Sequence, residues 1–371
     1  MEDTLVYRIA FASLRGINRV MAEQILSHIG DEQRFFEASE RQLSSLMAIK
    51  SKLFDDDYRK SLIERGKREA DFIFSSGVKP VYFTDEAYPK RLYDADDAPL
   101  MLFSLGNADL NHGRMISIVG TRHATPYGVD FVNRLIADLK SSLAEPVTVV
   151  SGLAFGIDAA AHTAALKLQM PTIGVLAHGL NTIYPAQHRQ MAADMVRSDG
   201  ALLTEYTSFD PIHKGNFVAR NRIVAGLCDC LIVAESANKG GALITAGIAS
   251  DYNRDVFALP GRISDRFSAG CNDLIKQNKA ALIESAEDLI KQMGWECHST
   301  HKEGVQTQLF ESLTPTEQQI IEVLRKHSDG IHINELAVII NQTFSTTSSL
   351  MLAMEFKGLV RPLPGGVYKS V

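Results

Sequence analysis

From about residue 78 the 371-residue chain alternates short β-branched runs with helical stretches of roughly 12 to 17 residues, and that alternation restricts the fold more than any other feature. The expected strands fall at 81–83, 116–119, 147–151, 172–176, 201–204, 231–234 and 256–259. Several are apolar on both faces, as strands buried between two helical layers must be. Strand and helix taking turns in this way imply an α/β chain built on a doubly wound sheet. Such sheets bind their ligands at the carboxyl ends of the strands.

The residues that carry chemistry gather at those ends. Gly120-Thr121-Arg122 follows the 116–119 strand. A glycine there lets the backbone approach a phosphate, a hydroxyl and N–H groups meet its oxygens, and an arginine forks onto it. Ser151-Gly152-Leu153-Ala154-Phe155-Gly156 follows the next strand and again precedes a helix. Glycine also serves plain tight turns, so each loop taken singly is a weak signal. His213-Lys214-Gly215-Asn216-Phe217-Val218-Ala219-Arg220-Asn221-Arg222 sets cations around one aromatic with no acid among them. Most charge runs are solvated helix faces, but cations for phosphates and a ring for an unstacked base are also what a single strand requires. Lys239-Gly240-Gly241-Ala242-Leu243-Ile244-Thr245 opens one more helix after a strand. The candidate binding set is therefore Gly120, Thr121, Arg122, Ser151, Gly152, Gly156, Lys214, Asn216, Phe217, Arg220, Arg222, Gly240, Gly241 and Thr245.

Four regions are expected: helices over 1–75, the α/β domain over 76–294, a linker over 295–312 and a small domain over 313–371. Within the first, Gly16-Ile17-Asn18 between apolar periodic stretches resembles a helix-hairpin-helix, with Asn18 at a glycine position because asparagine tolerates a left-handed backbone. The same pattern also suits a purely structural bundle. In the last, Thr314-Pro315-Thr316-Glu317 announces a capped helix. Helices around 333–340 and 345–357, the latter stopped by Gly358, and a hairpin through Pro364 complete a winged-helix pattern. Its presumed recognition helix has only Lys357 as a cation, so the reading of duplex DNA is not evident there.

The net charge of -6 excludes a chain that coats DNA uniformly, so any nucleic-acid site must be local. The average hydrophobic and charged fractions, 45% and 22%, argue against general disorder. No apolar run approaches a bilayer's width, and acidic residues near the amino terminus are unlike a signal peptide, which places the chain in the cytoplasm without a membrane partner. Cys228, Cys230, Cys271 and Cys297 form neither a disulfide framework nor a zinc pair. Cys297, His298 and His301 lack further ligands nearby, so no metal or cofactor is expected.

Taken together, Ile118-Val119-Gly120-Thr121-Arg122, Ser151-Gly152-Leu153-Ala154 with Gly156-Ile157-Asp158 and Ala161-His162, Arg220-Asn221-Arg222-Ile223-Val224-Ala225-Gly226-Leu227, and Phe257-Ala258-Leu259-Pro260-Gly261 resemble the DNA-processing protein A family, also called Smf. The resemblance is strong over about 80–290 and looser at both ends. It implies an extended Rossmann-like fold with an N-terminal helical, SAM-like domain and a C-terminal winged helix. It also implies a non-catalytic protein that binds and protects single-stranded DNA during natural transformation and loads the RecA recombinase. Arg122 and Lys214 would take phosphates and Phe217 a base. Many relatives carry His or Pro beside that Phe, where this chain has Asn216 and Val218. A short groove gains from duplication, so a homodimer is expected. Leu274-Ile275, Leu282-Ile283 and Leu289-Ile290 are its candidate surface, or else they close the sheet's own core.

Two enzymatic readings compete. A nucleotide phosphoribohydrolase of the lysine-decarboxylase-like type shares the fold, and Glu205 or Glu235 would supply its carboxylate. Each glutamate otherwise serves as a buried partner of Arg220 or Arg222. A dinucleotide oxidoreductase fares worse, because no G-x-G-x-x-G and no ribose-binding acid follow the 116–119 strand. His162 is expected to be a packed or N-terminal-turn residue rather than a base, and His178 to be exposed at a strand end without a nucleophile.

Overall fold

A computed structural model describes residues 2–296, 314–327, 330–357, 359–363 and 365–370. Cys297, His298, His301, Gly358, Pro364 and nearly all of the expected linker lie outside the described residues. Contacts divide the chain into two compact units, Met1–His298 and Ser299–Val371.

The first unit begins with α1 (Glu2–Ala12), α2 (Arg19–Ile29), α3 (Glu32–Glu37), α4 (Glu40–Leu46) and α5 (Asp56–Ser76). Gly16 has a positive φ of 75° in the turn before α2. Asn18 is not left-handed: its backbone is extended and its side chain accepts from the Met21 N–H, making it the N-cap of α2. The α/β portion runs β1 (Lys79–Tyr82), α6 (Lys90–Tyr93), β2 (Met101–Gly106), β3 (Met115–Gly120), α7 (Pro126–Ser142), β4 (Thr148–Ser151), α8 (Ile157–Lys167) and β5 (Thr172–Val175). It continues with α9 (Arg189–Arg197), β6 (Ala201–Thr204), α10 (Lys214–Gly226), β7 (Cys230–Glu235), α11 (Gly241–Asp251), β8 (Asp255–Ala258), α12 (Ala269–Lys276), β9 (Ala281–Leu282) and α13 (Ala286–Met293).

The nine strands form one sheet in the order β1-β2-β6-β5-β4-β3-β7-β8-β9. From β6 to β9 every neighbouring pair is parallel, while β2 is antiparallel to both β1 and β6. Strands β2 and β9 were not among those expected from the sequence. Side chains of successive strand residues point to opposite faces, and both faces are filled. Ile116 and Ile118 of β3 join the core under α7, α8 and α13, whereas Met115 and Val119 join the core that also holds α10, α11 and the N-terminal helices. The order reverses between β3 and β7: the chain leaves β3 toward β4 on one side, and β7 returns to its other flank. A doubly wound sheet opens its ligand crevice there.

The late apolar pairs divide. Ile283, Leu289 and Ile290 belong to the core between α13 and the sheet, so they close the domain and are no interface. Leu282 on the edge strand β9 stays 42% exposed, and Leu274 and Ile275 are half-buried.

The second unit has α14 (Pro315–Lys326), β10 (Ile331–His332), α15 (Ile333–Ile339), α16 (Phe344–Phe356), β11 (Val360–Leu363) and β12 (Val367–Ser370). The Thr314 and Glu317 capping box forms, with Pro315 in the first helical turn. The strands make a three-stranded sheet ordered β10-β12-β11, one strand more than the expected wing. Lys357, just past α16, donates to Glu317 Oε1 at 2.8 Å. Its charge is thus spent within the domain. Among the described residues no helix is long and apolar enough to cross a membrane.

Candidate nucleic-acid interface

A cleft of about 290 Å³ opens at the switch point, lined by the loops after β3, β4 and β7 and by one face of α10. Of the candidate residues, Gly120, Thr121, Arg122, Gly152, Phe217, Arg220, Gly240, Gly241 and Thr245 line it. Ser151, Gly156, Lys214, Asn216 and Arg222 do not, for physical reasons that differ.

Ser151 is fully buried and donates to the Ile118 carbonyl at 2.6 Å, tying β4 to β3. Gly156 has φ 78°, and a Cβ there would sit 2.2 Å from the Thr121 carbonyl. Gly156 therefore serves the close crossing of two loops. Gly120 likewise accommodates Ile157, whose Cγ1 would lie 2.5 Å from an added Cβ. Asn216 is turned away, its amide donating to the Pro211 carbonyl at 3.3 Å. Arg222 lies on the far side of α10, paired with Glu205 at 2.5 Å. That settles Glu205 as a buried partner, in a carboxyl that burial pushes up while the Arg222 charge holds it down.

Other expectations change as well. Glu235 has no arginine partner among the described residues; it is buried beside Gly128 and accepts from the Thr125 N–H at 2.8 Å and the Thr125 hydroxyl at 2.5 Å, bracing the start of α7. His178 is 1% exposed rather than surface-lying, with Nδ1 2.9 Å from the Gly179 carbonyl oxygen and Nε2 accepting from the Tyr184 N–H. His162 is packed, as expected, with Nδ1 2.7 Å from Thr172 Oγ1.

Arg220 is only 5% exposed, and its Nη1 donates to the carbonyls of Gly152, at 2.6 Å, and Val175, bracing the floor of the cleft. Burial lowers its pKa and the Asp158 charge raises it. Asp158 accepts from the N–H groups of Gly152 at 3.1 Å and Ala154 at 3.3 Å. The second glycine loop has therefore given two amides to its own carboxylate, and these are not open to a phosphate. Burial pushes the Asp158 carboxyl up and Arg220 opposes that. Asp158 is the sole acid on the lining, and its carboxylate is already hydrogen-bonded to two backbone N–H groups.

The groups left facing outward are few. Arg122 is exposed, makes no ion pair among the described residues, and holds its guanidinium carbon 5.8 Å from the centre of the Phe217 ring. Phe217 is half-buried and meets Tyr184 edge-on at 5.6 Å. Lys214, the first residue of α10, is exposed one helical turn before Phe217. Thr121 lines the cleft, its hydroxyl accepting from the His123 N–H at 3.2 Å and its own N–H donating to the Glu235 carbonyl at 2.8 Å. Gly240, the N-cap of α11, offers no side chain to the first-turn N–H groups, and a Cβ on Gly241 would meet nothing within 4 Å. Unsatisfied amides at an open helix start attract anions. Thr245 is nearly buried, its hydroxyl donating to the Gly241 carbonyl at 3.4 Å.

Two exposed aromatics escaped the reading of the sequence: Tyr184, 51% exposed, and Phe155, 43% exposed on the Gly152–Gly156 loop. Phe155 meets His188 edge-on at 4.9 Å, and nothing in the sequence separates it from Leu153 of the same loop, which is fully buried. Tyr184 lies in an irregular stretch with no periodicity.

The model of DNA recombination-mediator protein A matches residues 79–294, more than half of the chain. The chain belongs to that family. A second model, the DprA winged helix domain, matches 306–366. DNA processing protein DprA of Streptococcus pneumoniae is 41% identical over 206 residues, which is 56% of this chain and 71% of that protein. Protein Smf of Synechocystis is 30% identical over an alignment of 401 residues, covering 98% of each. Among solved structures, the X-ray structure of the pneumococcal protein aligns with TM-score 0.63 at 30% identity, over 80% of this chain and 99% of that one. DNA processing protein A of Helicobacter pylori, whose structure was described for a unique mode of binding single-stranded DNA, aligns with TM-score 0.52 at 28% identity over 58% and 95%.

Proposed function

We propose that this chain binds single-stranded DNA in the switch-point cleft, with Arg122 and Lys214 on phosphates, Phe217 stacked on a base, and the start of α11 receiving a further phosphate. One observation carries this: Arg122, without an ion pair among the described residues, stands over the Phe217 ring at the mouth of a cleft whose only carboxylate already accepts two backbone N–H bonds. Cation and ring side by side suit an unstacked strand, which presents a phosphate and a π-face in each nucleotide. Duplex DNA keeps its bases stacked and offers no face to Phe217. The Helicobacter pylori relative, described as binding single strands, supports the same ligand.

No catalysis is part of this reading. Glu205 and Glu235 are both occupied, and neither lines the cleft. A gel-shift comparison of single- and double-stranded DNA at two salt concentrations tests the proposal, with preference for the single strand as the expected result and equal affinity as the result against it. Assayed alongside, a nucleoside monophosphate should release no free base.

Phe217→Ala should weaken binding by about 1 to 3 kcal/mol and leave the salt slope unchanged, since a stacked base releases no counterion. A fall in slope, or loss of the folded circular-dichroism spectrum, would give the ring a different role.

The protein further acts, on this proposal, in the cytoplasm as a homodimer that protects the strand during natural transformation and hands it to RecA. The family description as a recombination mediator supports the hand-over. The exposed edge strand β9 is the surface left for pairing now that Leu289 and Ile290 are placed in the core. Leu282→Glu is accordingly expected to give a folded monomer by light scattering with weaker DNA binding. A wild type that is monomeric at micromolar concentration, with and without DNA, would remove the dimer.

A further inference from the structure

The cleft does not end at Arg122. The next residue, His123, stacks with Phe267 at 6.4 Å between ring centres and an interplanar angle of 28°. Phe267 belongs to the stretch from Pro260 to Ser268 between β8 and α12, in which Arg262, Ile263, Ser264, Asp265 and Arg266 are all exposed. Ile263 is 98% exposed.

This projection is held firmly. At its neck Asn272 donates to the Gly261 carbonyl at 2.9 Å and accepts from the Gly261 N–H at 3.1 Å. The Tyr127 hydroxyl donates to the Pro260 carbonyl at 2.7 Å. Within the loop the Asp265 N–H reaches the Arg262 carbonyl and the Ser268 N–H reaches the Asp265 carbonyl, two successive turns. At the cleft side the Ser236 N–H donates to the Phe267 carbonyl at 2.6 Å, and Ser236 itself lines the cleft. Cleft and loop are thus continuous through one backbone bond and one stacked pair of rings.

What the loop displays is the chemistry of the cleft over again. Arg262 and Arg266 make no ion pair among the described residues, and Asp265 is the one acid between them. Arg266 lies 5.6 Å from the Phe267 ring. Beyond them a groove of about 550 Å³ is lined by Tyr127, Pro260, Gly261, Arg262 and Asp265, and the Tyr127 ring is 46% exposed.

We propose that a single strand leaving the cleft at Arg122 continues over this loop, its phosphates on Arg266 and Arg262 and its bases against His123 and Tyr127. The inference rests on the cleft binding single-stranded DNA. It assigns the loop a second binding subsite and makes the footprint longer than the cleft.

The test compares oligothymidylates of about six and about twenty nucleotides, a short one for the cleft and a long one able to cross the loop. Arg262→Gln combined with Arg266→Gln should lower affinity for the long strand roughly tenfold near 0.1 M salt and reduce its salt slope by about 1.4, or about 0.7 per lost phosphate. Binding of the short strand should be unchanged. His123→Ala should weaken only the long strand, at constant slope. Both changes are at exposed side chains, so folding is not at stake. If Arg122→Ala weakens both strands while the loop variants alter neither, the extension is overturned and the cleft reading stands. If Arg122→Ala alters neither strand, the cleft reading falls and this inference with it.

Discussion

Replacing Arg122 and Lys214 together by Ala is expected to lower affinity for single-stranded DNA by about 3 to 6 kcal/mol, a factor of about a hundred or more, from two charge-assisted hydrogen bonds of about 1.5 to 3 kcal/mol each. The salt slope should fall by about 1.4, since each phosphate neutralised on a single strand contributes about 0.7. Both side chains are exposed, and neither makes an ion pair among the described residues. Thermal stability should therefore stay near that of the wild type. The comparison that matters is with Arg222→Ala. Arg222 sits five residues after Phe217 in the same basic run, but it is bound to Glu205 on the opposite side of α10. Its loss should destabilise the fold, by leaving a buried carboxylate without its partner, while the salt slope of the protein that remains folded keeps its value. Titrations from 50 to 200 mM salt distinguish the cases. An unchanged slope in the double variant would mean that these cations do not face the strand.

The second large effect is on acid stability. His162 is fully buried, and burial pushes its pKa down to about 3, with the charges of His188 and Arg220 acting in the same direction. The Thr172 hydroxyl donates to the Val149 carbonyl at 2.9 Å, so its oxygen accepts from His162 Nδ1. The ring is then the neutral Nδ1–H tautomer, with Nε2 buried and unpartnered. In the unfolded chain the same histidine titrates near 6.5. Between about pH 6.5 and pH 3 the unfolded state binds a proton that the native state does not, so stability rises with pH there and is lost on acidification. The stabilisation is complete above about pH 6.5. It declines by up to about 1.4 kcal/mol per pH unit below that. Going from pH 6.5 to 4.5, the wild type should lose about 2 to 3 kcal/mol more than His162→Gln, a residue that cannot protonate and keeps a donor for Thr172. Urea unfolding at three pH values measures the difference. Parallel losses in the two proteins would show that His162 is protonated without unfolding.

Much of this architecture was legible because its signals are local. A strand buried on both faces must be a continuous apolar run whatever surrounds it, which is why seven strands of the sheet could be placed within a residue or two. The Thr314 and Glu317 cap is written in four consecutive residues. Strands β2 and β9 were missed for the same reason in reverse. Strand β2 exists through antiparallel pairing with β1 and β6, and β9 is two residues long. Long-range pairing of that kind leaves no period in the chain.

At the site, the sequence by itself determined which residue types stand at the strand ends, and so the chemical groups offered there to a ligand. It also held one fact that helical geometry exposes. At 100° per residue, Arg220, Asn221 and Val224 share the Phe217 side of α10 and Arg222 does not, as the cleft lining bears out. Only the tertiary structure decided what each glycine and each charge is for. Gly120, Gly152, Gly156 and Gly240 are small because a neighbouring loop, helix or side chain occupies the space of a Cβ, whereas Gly241 faces open space. Arg122 is available while Arg220 is sunk into carbonyls beside Asp158. A backbone amide or a guanidinium binds a ligand only if nothing in the fold has already satisfied it. Whether it has been satisfied depends on residues far away in the chain: Glu235 on Thr125, Glu205 on Arg222, and Phe267 on the wall beside Arg122.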